Sequence, residues 1–184
     1  MQTLAPIDLA TAPESTQALL ASVERAIQRV PNMVRLMANA PSMLDIYLRF
    51  NAAFREAKMS PHLRGAIAVR VAELDRCDYH LSLVYALGAR DGVTADALAA
   101  ARRGESADPR IAAALRFVTQ VVEARGAAAP SAVAELRGAG YGDDEIVEII
   151  GMVVLAIFRD YFNLIAQTEA DVPSPRLAKA DGRE

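Results

Sequence analysis

The chain holds one cysteine and two histidines, so the side chains able to serve as nucleophile or general base near neutral pH are few. Two of the three lie together in the run Glu73-Leu74-Asp75-Arg76-Cys77-Asp78-Tyr79-His80. Cys77 and His80 are three residues apart, which sets them on adjoining positions of one helical face, where an imidazole can exchange a proton with a thiol. Asp75 is placed to cap the helix that follows, with Asp78 as its acidic partner three residues on, so Cys77 is expected in the first turn. Unpaired N–H groups and the macrodipole favour a thiolate there. Arg76 pushes the same way, and Asp75 and Asp78 push against it, so the direction of the net effect on the thiol stays open. Glu73, at the end of the preceding helix, is close enough in sequence to orient the pair. An inert reading stands beside the catalytic one: the same face carries Leu81, Val84 and Leu87, and a free cysteine is among the most buried residue types.

The rest of the chain offers less chemistry. His62 falls in the first turn of its helix and is expected to be exposed. Two histidines, one thiol and scattered carboxylates do not make a metal-ligand spacing, and no Gly-rich phosphate loop, Gly-x-Ser-x-Gly elbow or His-Glu-x-x-His pattern occurs. No metal or organic cofactor is therefore expected. Glu73, Arg70 and Arg64 read as the solvated or ion-paired side of a helix whose apolar stripe is Leu63, Ile67, Val71 and Leu74. Met33, Met37, Met43, Phe50 and Phe54 read as core positions.

These groups must be positioned by helices. The 184 residues are 53% hydrophobic and 23% charged, enough apolar mass for a sizeable core, and alanine-rich segments with apolar residues at three-to-four spacing favour helix over strand. The periodicity predicts helices near 15–29, 31–39, 41–57, 61–74, 76–90, 94–102, 109–125, 130–138 and 143–169. Pro31, Pro41, Pro61, Pro109 and Pro130 stand at helix starts, Ser60, Thr94 and Asp108 are capping residues, and Gly92, Gly138 and Gly140 are placed to end helices in the left-handed conformation. Pro6, Pro13, Pro173 and Pro175 mark irregular ends. The expected organisation is an irregular segment over 1–14, a single all-helical domain over 15–172 and a tail over 173–184. In the last helix Ile146, Ile149, Ile150, Val153, Val154, Leu155, Ile157 and Phe158 cover nearly the whole circumference, which predicts burial on all sides, completed by a subunit interface.

The formal charge of -3, with no basic cluster interleaved with aromatics, argues against nucleic acid as a partner. A single cysteine suits a reducing compartment, read here as the cytoplasm. No secretory leader is visible at the N-terminus. The longest apolar run, Ile146 to Phe158, is interrupted by Glu148 and falls short of the ~20 residues that cross a bilayer, so a soluble protein with no membrane partner is expected.

From Pro31 to about Pro173 the sequence resembles the alkyl hydroperoxidase D-like branch of the carboxymuconolactone decarboxylase superfamily. The resemblance rests on an ordered set: Ala40-Pro41-Ser42-Met43-Leu44, then Met59-Ser60-Pro61, then Cys77-Asp78-Tyr79-His80 in the place of the family's Cys-x-Tyr-Cys. Leu87-Gly88-Ala89, Gly92-Val93-Thr94, Leu136-Arg137-Gly138-Ala139-Gly140-Tyr141, Asp143-Asp144-Glu145-Ile146 and Tyr161-Phe162-Asn163-Leu164 follow. It implies an all-α, multi-helix bundle in which copies assemble, commonly as trimers or hexamers, with the motif opening a central helix. In the peroxidase branch two cysteines cycle between dithiol and disulfide, while a histidine four residues later and an upstream glutamate relay protons. Here Cys77 fills the first cysteine position, His80 replaces the second, Val84 stands where the histidine would be and Gly65 lies near the glutamate's place. Without a second thiol no internal disulfide forms, so a sulfenic acid on Cys77 needs an external thiol reductant or a neighbouring subunit.

Three functions follow from the resemblance. The first is a one-cysteine, thiol-dependent peroxidase acting on organic hydroperoxides, with Cys77 as nucleophile, His80 as its proton partner and Glu73 or Tyr79 orienting. The second is cofactor-free proton transfer on a small molecule, as in lactone decarboxylation or isomerisation, with His80 as general base and Cys77 dispensable. The third is a scaffold or ligand-binding protein without catalysis.

Overall fold

The computed structural model describes residues 2–8 and 10–172; the expected 173–184 tail, with Pro173 and Pro175, lies outside the described residues. Among these, nine α-helices and no strand occur: α1 (Glu14–Ile27), α2 (Asn32–Met37), α3 (Pro41–Ala53), α4 (Pro61–Leu74), α5 (Asp78–Gly88), α6 (Ala95–Arg102), α7 (Pro109–Glu123), α8 (Pro130–Gly138) and α9 (Asp143–Ala166). Each matches one helix expected from the periodicity, mostly a residue to four shorter at its ends, where frayed turns lose their backbone partners. Ser60, Thr94 and Asp108 cap as expected, their side-chain oxygens accepting from the backbone N–H of Leu63, Ala97 and Arg110. Gly140 takes the left-handed conformation with φ 86°, whereas Gly138 does not and closes α8 in helical geometry.

The chain divides into two compact units, Met1–Ala57 with Tyr161–Asp171, and Lys58 onwards to Asp160. In the first, α3 packs on α1 and α2. The segment after α9 is tied to it by Asp171, whose carboxylate accepts from the Asn32 backbone N–H at 2.7 Å and pairs with Arg29 at 2.8 Å. Met33, Met37 and Phe54 are core residues as expected, but Met43 (42% exposed) and Phe50 (36%) are not. Both share an uncovered face of α3 with Ile46.

In the second unit α4 is the hub, packed by α5, α6 and α7, while α8 packs on α7. Its Ala66, Ile67, Ala68, Val69, Val71 and Ala72 are all buried, so an apolar stripe on one side understates its burial. Small residues permit this approach: a Cβ on Gly65 would lie 3.5 Å from one δ-carbon of Leu98, and one on Gly88 would lie 3.0 Å from the other, so both helices close on α6 around that side chain. Of the two expectations for the polar side of α4, solvated or ion-paired, the paired one holds at Glu73, which meets Arg102 at 2.8 Å. Arg70 donates to the Thr119 hydroxyl at 2.9 Å and to the Arg102 carbonyl at 2.6 Å.

The burial expected all round α9 is only half realised. Ile146, Ile149, Val153, Leu155 and Ala156 are buried, but Val147, Ile150 and Val154 lie open on the other face, since nothing among the described residues covers them. The length argument from the apolar run is also corrected: the helix carrying it is long and apolar enough to cross a membrane by composition, with half of its most apolar window buried inside the protein as in a core helix. In the second unit α9 is anchored by Glu148, whose carboxylate oxygens accept from the backbone N–H of Lys58 at 3.0 Å and Met59 at 3.1 Å.

Candidate functional site

The turn between α4 and α5 decides where the chemistry-bearing residues fall. Asp75 closes α4 as its last helical-type residue, Arg76 enters the left-handed region with φ 58°, and Cys77 donates its N–H back to the Ala72 carbonyl at 2.8 Å while Arg76 donates to Glu73 at 3.2 Å. This doubled closure is the Schellman motif, normally built on glycine at the left-handed position. It places Cys77 at the N-cap of α5. The expectation that Asp75 caps α5 is therefore corrected: the left-handed step at Arg76 intervenes, and the Asp75 carboxyl lies against the side chain of Asp160 in α9 instead.

His80 lies in the first turn of α5, 1% exposed, and its Nδ1 sits 2.6 Å from Asp160 Oδ1, whose residue is fully buried. Both residues belong to the second unit. A carboxylate can only accept, so the hydrogen of this contact resides on Nδ1, and in the neutral ring the lone pair is on Nε2. Nε2 is itself buried and has no partner among the described residues.

Cys77 is 1% exposed. Burial pushes its thiol well above the ordinary range, the neighbouring Asp160 adds to this by charge and by accepting the thiol hydrogen, and Asp75 adds charge again; only the His80 backbone N–H acts the other way. The direction that the sequence left open is thus upward, because two carboxylates and an apolar surround outweigh one helix N-terminus. The Asp75 carboxyl is pushed up to about 6, first by burial and then by the adjacent Asp160.

The structure brings Cys77 and His80 together around Asp160. It does not bring Glu73 there: the Glu73 carboxylate is paired with Arg102 at 2.8 Å, and Arg102 also bonds to the side chain of Tyr85. Tyr79 is buried beside His80 in sequence, on the adjoining position of α5. His62 is exposed, as expected. Asp160 is the residue that sequence reasoning missed, although a signal existed: a carboxylate in the middle of a helix otherwise rich in Ile, Val and Leu needs a buried donor, and the chain has few to offer. Among the described residues no group of three His, Cys, Asp or Glu side chains is arranged to hold a metal ion.

No protein-family model matches the chain, and no curated protein matches it. Solved structures do match its fold. An uncharacterized peroxidase-related protein from Ralstonia eutropha JMP134, described as an alkylhydroperoxidase AhpD core, superposes with a TM-score of 0.78 at 17% identity, covering 92% of each chain. A cysteine-to-alanine variant of the debrominase Bmp8 in complex with 2,3,4-tribromopyrrole gives 0.80 at 18% identity, over 93% of this chain and 92% of that one. An uncharacterized peroxidase-related protein from Silicibacter sp. TM1040 gives 0.77 at 20% identity, over 94% and 90%. The chain therefore has the all-α, multi-helix fold of alkylhydroperoxidase AhpD-like proteins. At these identities the likeness concerns the fold, and function must be argued from the site.

Proposed function

We propose that the chain is a cofactor-free enzyme that moves a proton on a small molecule, with His80 as general base and acid and Asp160 as the group that fixes its ring. The observation that carries this reading is His80 itself: one ring nitrogen is held at 2.6 Å by a fully buried carboxylate, and the other is buried with no partner. A purely structural histidine gains nothing from that arrangement, since an unpartnered buried polar atom costs about 1–3 kcal/mol. In the proposed reaction Nε2 takes a proton from a carbon acid, such as a position next to a lactone or ketone carbonyl. The imidazolium formed is stabilised by the Asp160 carboxylate, and the same proton is returned at another atom, which isomerises the substrate. Cys77 stays a thiol throughout, donating to Asp160. Because His80 and Cys77 are each 1% exposed, substrate reaches Nε2 through a local opening.

The test is proton exchange. Candidate lactones and ketones are incubated with the protein in deuterated water, and deuterium at carbon is followed by NMR. Wild type and Cys77→Ser are expected to exchange at similar rates, and His80→Gln to lose at least ~100-fold, the lower range for a lost general base. Equal exchange in His80→Gln and wild type would remove the reading.

A second reading is favoured by the fold neighbours named as peroxidase-related and by the thiol's contact with a His80-bound carboxylate. In it Asp160 takes the Cys77 proton, the thiolate attacks the terminal oxygen of an organic hydroperoxide, the O–O bond breaks, the leaving alkoxide takes that proton to depart as an alcohol, and the sulfenic acid left on Cys77 is reduced by two equivalents of an external thiol with release of water and a disulfide of that thiol. This reading predicts fast one-to-one oxidation of Cys77, lost in Cys77→Ser. Brominated pyrroles belong in the substrate panel because of the debrominase likeness. Under either reading the protein acts in the cytoplasm as an assembly of copies that covers the open face of α9.

A further inference from the structure

Two more polar atoms of the cluster are buried without a partner among the described residues: Asp75 Oδ2 and Asp160 Oδ2. They belong to carboxyl groups in side-chain contact with each other, and two ionised carboxylates can only accept hydrogen bonds. Facing each other without a hydrogen between them, they would be both unpartnered and mutually repelled. One hydrogen on Asp75 removes both penalties. Asp75 then donates to Asp160, and the Asp160 carboxylate gathers three donors: the Asp75 hydroxyl, the Cys77 thiol and His80 Nδ1–H.

We propose that Asp75 and Asp160 share a single proton and that Asp75, through it, is a positioning residue that keeps the Asp160 carboxylate turned towards His80. The consequence at the ring rests on the acid–base reading above; the shared proton does not. The groups facing Asp75 are Asp160 from α9 and Cys77 from the start of α5, while Glu73 on its own helix is engaged by Arg102. Arg76, next in the chain, is exposed.

The pH dependence has a definite sign. The folded-state value of about 6 lies above the ordinary 3.8, so the contribution of this proton to stability is fully present below the ordinary value and is lost as pH rises through the folded one. The full shift corresponds to a folding constant about 100-fold lower at the alkaline end; solvent screening of a partly exposed group reduces this to about tenfold.

The experiment uses the full chain and three proteins: wild type, Asp75→Asn and Asp75→Ala. An asparagine amide donates an N–H to Asp160 at every pH, in place of the titrating hydroxyl. Urea unfolding from pH 4 to 8 is expected to show the wild-type folding constant falling about tenfold relative to Asp75→Asn, whose difference curve lacks the step. Nitrogen NMR of labelled histidine is expected to show the hydrogen on His80 Nδ1 retained in Asp75→Asn at pH 8 and lost in part in Asp75→Ala. Parallel pH curves for wild type and Asp75→Asn would overturn the shared proton, and this comparison decides even where Asp75→Ala does not fold. His80 signals identical in all three proteins would overturn the positioning role. A pH step with no proton exchange on any substrate removes the acid–base reading alone, and exchange without a pH step removes the shared proton alone.

Discussion

Replacing Asp160 by alanine probes the cluster at its centre. The substitution deletes a contact of 2.6 Å to His80 Nδ1 between side chains that are 1% and 0% exposed, and it strips the Cys77 thiol of its acceptor. A hydrogen bond to a charged group is worth about 1.5–3 kcal/mol, and breaking a buried pair by removing one partner costs about 3–5 kcal/mol in all. One effect opposes this. Without Asp160 the Asp75 carboxyl loses the smaller cause of its upward shift, burial being the larger, which relieves at most about 1 kcal/mol at pH 8 once screening of a partly exposed group is allowed for. At pH 5, where Asp75 already holds its proton, that relief is mostly absent. The net loss is therefore about 2–4 kcal/mol at pH 8 and larger by up to ~1 kcal/mol at pH 5. With a urea slope of about 2 kcal/mol/M, the unfolding midpoint followed by circular dichroism falls by about 1–2 M at pH 8. Asp160→Asn, which keeps an acceptor for Nδ1–H, is expected to lose less than half as much. A midpoint within the error of wild type at both pH values would refute the assignment of Asp160 as the buried partner of His80.

Three shorter predictions follow from neighbouring features. In the native protein Cys77 is expected to resist alkylation at pH 8 and to react at once in denaturant; because its thiol is raised above the ordinary 9.0, wild type also loses stability above pH 9 in a way that Cys77→Ala does not, and fast native alkylation would contradict this. Arg76→Gly relieves the left-handed backbone at φ 58° and is expected to raise stability by about 0.5–1 kcal/mol, read as a higher urea midpoint. Glu148→Ala leaves the backbone N–H groups of Lys58 and Met59 without their carboxylate and is expected to cost about 1–2 kcal/mol; hydrogen exchange at Met59 should speed up, and unchanged protection there would count against the anchoring role.

The helices were legible because their signals are local. Proline at a first helical turn, serine, threonine or aspartate before it and three-to-four spacing all act within a few residues, and Ser60-Pro61 and Asp108-Pro109 show it. Which helix forms the hub was not legible from a wheel. The small residues of α4 that let three neighbours approach carry almost no pattern of their own, whereas the apolar α9 advertised a burial that the described residues only half supply. At the site, the Cys77 and His80 proximity followed from spacing alone. The role of Asp75 did not, because it turns on a left-handed Arg76, a position where glycine would have given the signal. Asp160 lies 80 residues from His80 along the chain, and no local rule links the two. Glu73 was adjacent in sequence, yet Arg102 holds it elsewhere.

The account turns on an imidazole whose Nδ1 is committed to Asp160 and whose Nε2 lone pair is open. Nitrogen NMR of the wild-type protein with labelled histidine, read at pH 7, reports the tautomer of His80 directly. The expected result is a ring with its hydrogen on Nδ1 and an unprotonated Nε2, distinct from the exposed His62. A ring with hydrogen on Nε2 and a bare Nδ1 would contradict the Asp160 contact, and the proposed chemistry with it.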